Sequence, residues 1–235
     1  MSRQLTFDLP PVAAFRSENY FIAGSNVTAH TQIMDAEWPE GRMLLIGPAG
    51  AGKSHLAHLW AEMRGARVMD ACDPRLDDLP DAPRALVVEE VAAAAGLPQV
   101  EVALFHLWNR MAGQGLLLMT ERTPPRDWGL GLPDLLSRMQ AMPVARLGAP
   151  DDALLAAVLV KLFGDRQVYV QPNLIAFLVA RIERSVSAAR AVVAALDAHA
   201  LARGRPITRS LAAELLGNDP CAADLLDTLG LSVKD

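Results

Sequence analysis

Arg42-Met43-Leu44-Leu45-Ile46-Gly47-Pro48-Ala49-Gly50-Ala51-Gly52-Lys53-Ser54 is the stretch whose reading decides the fold. Residues 42–46 are a short apolar run closed by glycine, which suggests a buried strand. Residues 47–54 then fit G-x-x-x-x-G-K-[ST] without a mismatch. Glycines let the backbone wrap close around phosphate oxygens with its amide hydrogens inward. In that pattern the lysine, here Lys53, reaches the β- and γ-phosphates, and the hydroxyl of Ser54 ligates Mg²⁺. From Lys53 to Arg64 the residues Leu56, Leu59, Trp60 and Met63 recur at helical spacing, so a helix opens at the loop and turns its positive end to the anion. The expected ligand is ADP or ATP with Mg²⁺, held by Pro48, Ala49, Gly50, Ala51, Gly52, Lys53 and Ser54, with His55 next to the phosphates. His55 and His58 stand at i, i+3, but no third ligand accompanies them, so a metal site of their own is not indicated.

Outward from this loop, strand and helix patterns alternate. Ala66 to Asp70 reads as a strand, Asp73 to Pro83 as a proline- and aspartate-rich loop, and Ala85 to Val88 as a strand closed by Glu89 and Glu90. Gln99 to Ala112 reads as a helix with Val102, Phe105, Leu107 and Met111 among its apolar residues, and Leu116 to Met119 as a strand ending at Thr120. Such alternation implies a parallel sheet with helices on both faces. An acid at the end of a strand beside a phosphate loop gives Mg²⁺ a carboxylate partner, the role expected of Glu89. Glu90 would orient and deprotonate an attacking water. Aspartate is the usual first acid, and Glu89 is one methylene longer.

The pattern changes at Gly148-Ala149-Pro150, after which every element reads as helical. Asp151, Ser185 and Thr208 are placed to cap helices, the first stopping at Gly164 and the last at Gly217, and Pro172 sits where a first-turn proline belongs. The expected organisation is an extended arm over 1–14, an α/β domain over 15–149, a small all-α domain over 150–217 and a tail over 218–235.

Length and composition suggest one large domain, or one plus a small satellite. The chain has 235 residues, 51% of them hydrophobic and 21% charged, with a net charge of −5. An acidic balance argues against a surface that grips nucleic acid throughout. Cys72 and Cys221 lie outside any CxxC pattern, which fits a reducing cytoplasm. No apolar run reaches about 18 residues, so no spanning helix is expected.

With these motifs in place the chain resembles the AAA+ ATPases, and within them the DnaA/Hda branch, over residues 15–217. Asn19-Tyr20-Phe21-Ile22-Ala23-Gly24 looks like the N-F-x-x-G element of that branch, which implies that Asn19 and Phe21 line an adenine pocket. Leu116-Leu117-Leu118-Met119-Thr120-Glu121-Arg122-Thr123-Pro124-Pro125 resembles its L-T-x-D-R-P-P strand end, which implies that Thr120 or Glu121 senses the γ-phosphate. Leu132-Pro133-Asp134-Leu135-Leu136-Ser137-Arg138 resembles the segment with the arginine finger, which implies that Arg138 acts on the nucleotide of a neighbouring subunit. The fold implied is the AAA+ phosphate-loop sheet followed by a helical lid. One position departs from the pattern: Ser187 stands where the family has a lid arginine. Arg190, a turn further on, or Arg184 just before it, is the candidate replacement.

DnaA itself continues into a helix-turn-helix DNA-binding domain, for which 218–235 is too short. Gln4-Leu5-Thr6-Phe7-Asp8-Leu9 resembles the Q-L-x-L-x-L peptide that docks on the bacterial sliding clamp and that Hda-like regulators bear at this end. In such a peptide the glutamine, here Gln4, bonds a pocket rim while Leu5, Phe7 and Leu9 fill the groove. The resemblance implies a regulator of replication initiation. It would sit on the DNA-loaded clamp, touch DNA only through that clamp, and stimulate ATP hydrolysis by DnaA, and self-association is compatible with it. The competing expectation is an autonomous AAA+ ATPase such as a helicase loader or a transposition helper.

Overall fold

The structure is a computed structural model that describes residues 20–35, 37–76, 79 and 83–217. Gln4, Leu5, Phe7, Leu9 and Asn19 lie outside the described residues, as does the stretch 218–235. The elements in order are α1 (Val27–Met34), β1 (Arg42–Ile46), α2 (Lys53–Arg64), β2 (Arg67–Asp70), β3 (Ala85–Glu89), α3 (Pro98–Arg110), β4 (Leu116–Glu121), α4 (Pro133–Ala141), β5 (Val144–Arg146), α5 (Asp152–Asp165), α6 (Pro172–Val179), α7 (Val186–Arg203) and α8 (Arg209–Leu216). The five strands form one parallel sheet in the order β2-β3-β4-β1-β5. β1 therefore lies inside the sheet, and the loop that leaves it emerges beside the end of β4, with Ile46 opposite Glu121.

Side chains that alternate along each strand feed two separate cores. Leu45, Val87 and Leu118 pack on one face with Leu56, Ala57 and Trp60 of α2. Leu44, Val88 and Met119 pack on the other with Leu104 and Leu107 of α3 and Leu135 and Met139 of α4. The expected parallel sheet with helices on both faces is thus what the chain builds. Trp60, fully buried, stacks on Trp38 with ring centres 4.8 Å apart. Such a pair is worth about 0.5–1.5 kcal/mol beyond its buried area.

Two apolar residues depart from the expected stripes. Met63 is 61% exposed, because the buried side of α2 runs through Ala57, Trp60 and Ala61 and leaves Met63 turned away. Val102 is 43% exposed, because the buried side of α3 begins at the carboxylate of Glu101 and continues through Leu104 and Trp108. Element ends also shift: α3 starts at Pro98, β4 runs on to Glu121 and α5 to Asp165.

After β5 every described element is helical. α5 to α8 enclose a third core that includes Leu159, Phe163, Leu178 and Leu196. Three of these helices have first turns closed by side chains: Asp151 accepts from the amide of Leu154, Ser185 from Ala188 and Thr208 from Leu211. The helical layer touches the sheet layer at the phosphate loop, where the Val186 amide donates to the Gly50 carbonyl at 2.8 Å, and at Asp151, whose carboxylate accepts from the Ser25 amide at 2.9 Å.

Candidate nucleotide site

The site grows from the turn between β1 and α2. α2 has no side-chain cap at its N-terminus, so the amides of its first turn are turned toward the loop cavity rather than closed off. Gly52 has φ of 97° and open space where a side chain would begin. Gly50 has φ of 69°, and a Cβ there would stand 2.5 Å from the Ser185 Cβ and 2.6 Å from the Ser187 Oγ. The loop thus leaves room on its inner side and is closed by α7 on its outer side.

The Lys53 amine lies across the loop, donating to the carbonyls of Gly47 at 2.8 Å and Pro48 at 3.0 Å. Burial and the like charge of Arg122 pull its pKa below the ordinary lysine value, while Glu121, Glu90 and Glu89 push it back up. Those three carboxylates come from the ends of β3 and β4, so the sheet gathers them within electrostatic reach of the lysine.

Strand alternation sorts these acids. Glu89 follows Ala85 and Val87 on the face that packs α2, and its Oε2 lies 3.5 Å from the His58 Nε2 of that helix. Its Oε1 is buried with no hydrogen-bond partner among the described residues. A buried carboxylate oxygen with spare acceptor capacity, close to Lys53 and the Ser54 end of α2, is a donor set of the kind Mg²⁺ takes, so the residues present fit that ion. Glu90 is exposed and held at φ 55°, ψ 48°, a left-handed conformation uncommon outside glycine. Thr120 follows Leu118 on the α2 face and is 2% exposed. Glu121 points to the opposite face, where its carboxylate accepts from the amides of Ala92 at 2.8 Å and Arg122 at 2.6 Å. Of the two candidates at this strand end, Thr120 shares the side of Glu89 and Lys53's helix, and Glu121 is occupied in fastening two loops.

A second, largely apolar recess opens beside the loop. Phe21, Ala51, His55, Leu154, Val158 and Arg190 line it, together with Tyr20 and Asn26. Asn26 shapes its rim, donating to the Phe21 carbonyl at 2.9 Å and accepting from the Ala23 amide at 2.8 Å. Tyr20 stacks on His30 at 5.4 Å and meets His55 edge-on at 5.3 Å. Burial pushes the Tyr20 hydroxyl up to about 12, against a lowering by Asn26. Burial, then the charges of Arg190 and Lys161 and of His58, push His55 down to about 4, so it is neutral at pH 7. Tyr20 and Asn26 were not assigned to the site from sequence. Tyr20 stood in the quoted N-F-x-x-G stretch, whereas nothing marked Asn26.

The two candidate lid arginines are placed differently. Arg184 pairs with Asp152 at 2.8 Å. Arg190 is exposed and lines both the apolar recess and the adjoining cleft of about 740 Å³, whose walls include Gly50, Lys53, Ser54 and Ser187. Pro48 and Ala49 are at the tip of the loop, both exposed to solvent. Arg138 is not part of this assembly. It sits on α4 with its guanidinium 5.0 Å over the Phe105 ring, near Arg42 at the beginning of β1. That is the end of the sheet opposite the phosphate loop.

No profile of a known protein family matches the chain. Solved structures do. Domain III of the replication initiation protein DnaA from Thermotoga maritima superposes with a TM-score of 0.72 at 17% identity, over 88% of this chain and 96% of that one. AMPPCP-bound DnaA from Aquifex aeolicus gives 0.65 at 13% identity, over 78% and 65% respectively. A single-substitution variant of RuvB from Thermotoga maritima gives 0.64 at 14% identity, over 92% and 85%. Among the described residues no helix is long and apolar enough to cross a membrane. Strand order, phosphate loop and helical layer together show that the chain has the AAA+ fold of DnaA domain III.

Proposed function

We propose that the chain binds ADP or ATP with Mg²⁺ between its sheet and its helical layer, and that it regulates replication initiation by acting on the nucleotide of DnaA. Phosphates would lie along Gly50 to Ser54 and Lys53, the base against Phe21 and His55, and Arg190 would reach in from α7. Ser54 and Glu89 would hold Mg²⁺, which supplies positive charge to the phosphate oxygens. Glu90 and Thr120 would act at the water and the γ-phosphate. That a DnaA of the same fold is solved with AMPPCP supports the nucleotide reading.

The observation that carries the regulatory reading is the place of Arg138, beside Arg42 at the sheet end away from the chain's own phosphate loop. An arginine there has no route to its own nucleotide and is suited to a neighbour's, in this reading that of ATP-bound DnaA. The arm with Gln4 to Leu9 would deliver the chain to the DNA-loaded sliding clamp.

The test follows phosphate release from ATP-loaded DnaA mixed with this protein, ADP and DNA-loaded clamp. Stimulation that disappears in Arg138→Ala, and that falls when residues 1–10 are deleted, is the expected result. Hydrolysis by the isolated protein at a rate that DnaA and clamp do not change would favour an autonomous ATPase instead.

A further inference from the structure

α3 carries two side chains, one helical turn apart, that both act on α4. Glu101 is 1% exposed, and its carboxylate accepts from the Gly131 amide at 3.0 Å and the Leu132 amide at 2.6 Å. These are the residues that lead into α4, which has no side-chain cap of its own. A buried carboxylate that accepts two amide bonds fixes the entry of that helix. Four residues along α3, on the same side, the ring of Phe105 lies under the Arg138 guanidinium at 5.0 Å. This separation is within the reach of a cation–π contact. Arg138 is half-buried, and none of the ion pairs found among the described residues involves it; beside the like charge of Arg42, the Phe105 ring is its described attractive contact.

We infer that Phe105 is the positioning residue of Arg138: its ring holds the guanidinium in the orientation in which it meets a neighbouring subunit's nucleotide, on a helix whose entry Glu101 fixes. This rests on the trans-acting reading of Arg138. A free arginine side chain samples many rotamers and loses that freedom when it engages. A ring that holds the planar group in advance removes much of that loss, while leaving its N–H edges free to donate. A carboxylate partner would occupy those edges, and a purely aliphatic one would not orient the plane.

Phe105→Leu keeps apolar volume and removes the π face. It should retain ATP and ADP affinity, since α3 lies on the far face of the sheet from α2. The maximal stimulated rate of phosphate release from ATP-bound DnaA should fall by about 2- to 30-fold, the range a cation–π contact spans. The concentration giving half of that maximum should change little. Phe105→Tyr should restore the rate, which a mere packing role would not require of the ring face. Thermal unfolding of each variant identifies one that has simply lost its fold, and there Phe105→Met, with similar volume and no ring, takes the place of Phe105→Leu. A ring-less folded variant that stimulates like wild type, while Arg138→Ala does not, overturns the positioning role. Wild-type stimulation by Arg138→Ala itself overturns the trans-acting reading and the inference with it.

Discussion

At the scale of single residues, His55 is the clearest case of a side chain whose chemistry the fold resets. Burial and the nearby Arg190, Lys161 and His58 hold it down at about 4. In the unfolded chain a histidine titrates near pH 6.5. As pH falls below that value the unfolded state takes up a proton that the folded state refuses, so the folded state loses stability progressively between about 6.5 and 4 and no further through this group below that. Above 6.5 His55 is neutral in both states and contributes no pH dependence. His55→Gln, which cannot protonate, should therefore flatten the decline of the melting temperature between pH 6.5 and 4.5, before most carboxylates titrate. An equally steep decline in the variant would show that other groups set the acid limit.

At the scale of elements, the contact between the phosphate loop and α7 is the most constrained. Gly50 takes a left-handed φ of 69° under the Ser185 Cβ and the Ser187 Oγ, while the Val186 amide donates to the Gly50 carbonyl. Gly50→Ala should lose about 1–3 kcal/mol from the backbone conformation alone, with displacement of α7 added. Ser185→Gly removes one of the two atoms the new methyl meets, leaving the Ser187 Oγ, and loses only a few tenths of a kcal/mol at a cap position. Urea unfolding of the double variant should thus show less loss than the two single losses added. Strict additivity would mean that α7 does not rest on the loop. This contact also marks where the sequence stopped being legible. The loop, the helix over Lys53–Arg64, the three caps and the strand with Glu89 could be read because each depends on neighbours within a few residues. α1 and the three-residue β5 could not, because β5 is specified only by pairing with β1 across most of the domain. Glu101 went unread for a similar reason, since a buried carboxylate has no apolar signature and its partners lie some thirty positions away. That Arg184 pairs with Asp152 while Arg190 lines the cleft was equally out of reach, because it depends on a contact between distant segments of the helical layer.

At the scale of the whole molecule, two layers with separate cores meet around the cleft that the proposed nucleotide would fill. The described joins between them are few: the Gly50–Val186 bond and the Ser25–Asp151 bonds, apart from the chain connection itself. A ligand that touches Lys53 and Ser54 on one side and Arg190 on the other binds only when both layers are folded and apposed, so it should stabilise the chain as a unit. At a hundredfold excess over its dissociation constant the linkage amounts to about 2.7 kcal/mol. For a domain of this size that corresponds to a rise in melting temperature of roughly 5–10 °C. ATP or ADP with Mg²⁺ should produce that rise in the wild type and little or none in Lys53→Ala, which lacks the charged contact to the phosphates. Arg138→Ala should show the full rise, because Arg138 stands at the opposite end of the sheet from the loop. Differential scanning fluorimetry with all three proteins separates the cases. An undiminished shift in Lys53→Ala would place the ligand elsewhere than the phosphate loop. A lost shift in Arg138→Ala would bring that arginine to the chain's own nucleotide and remove the ground for its action on another subunit.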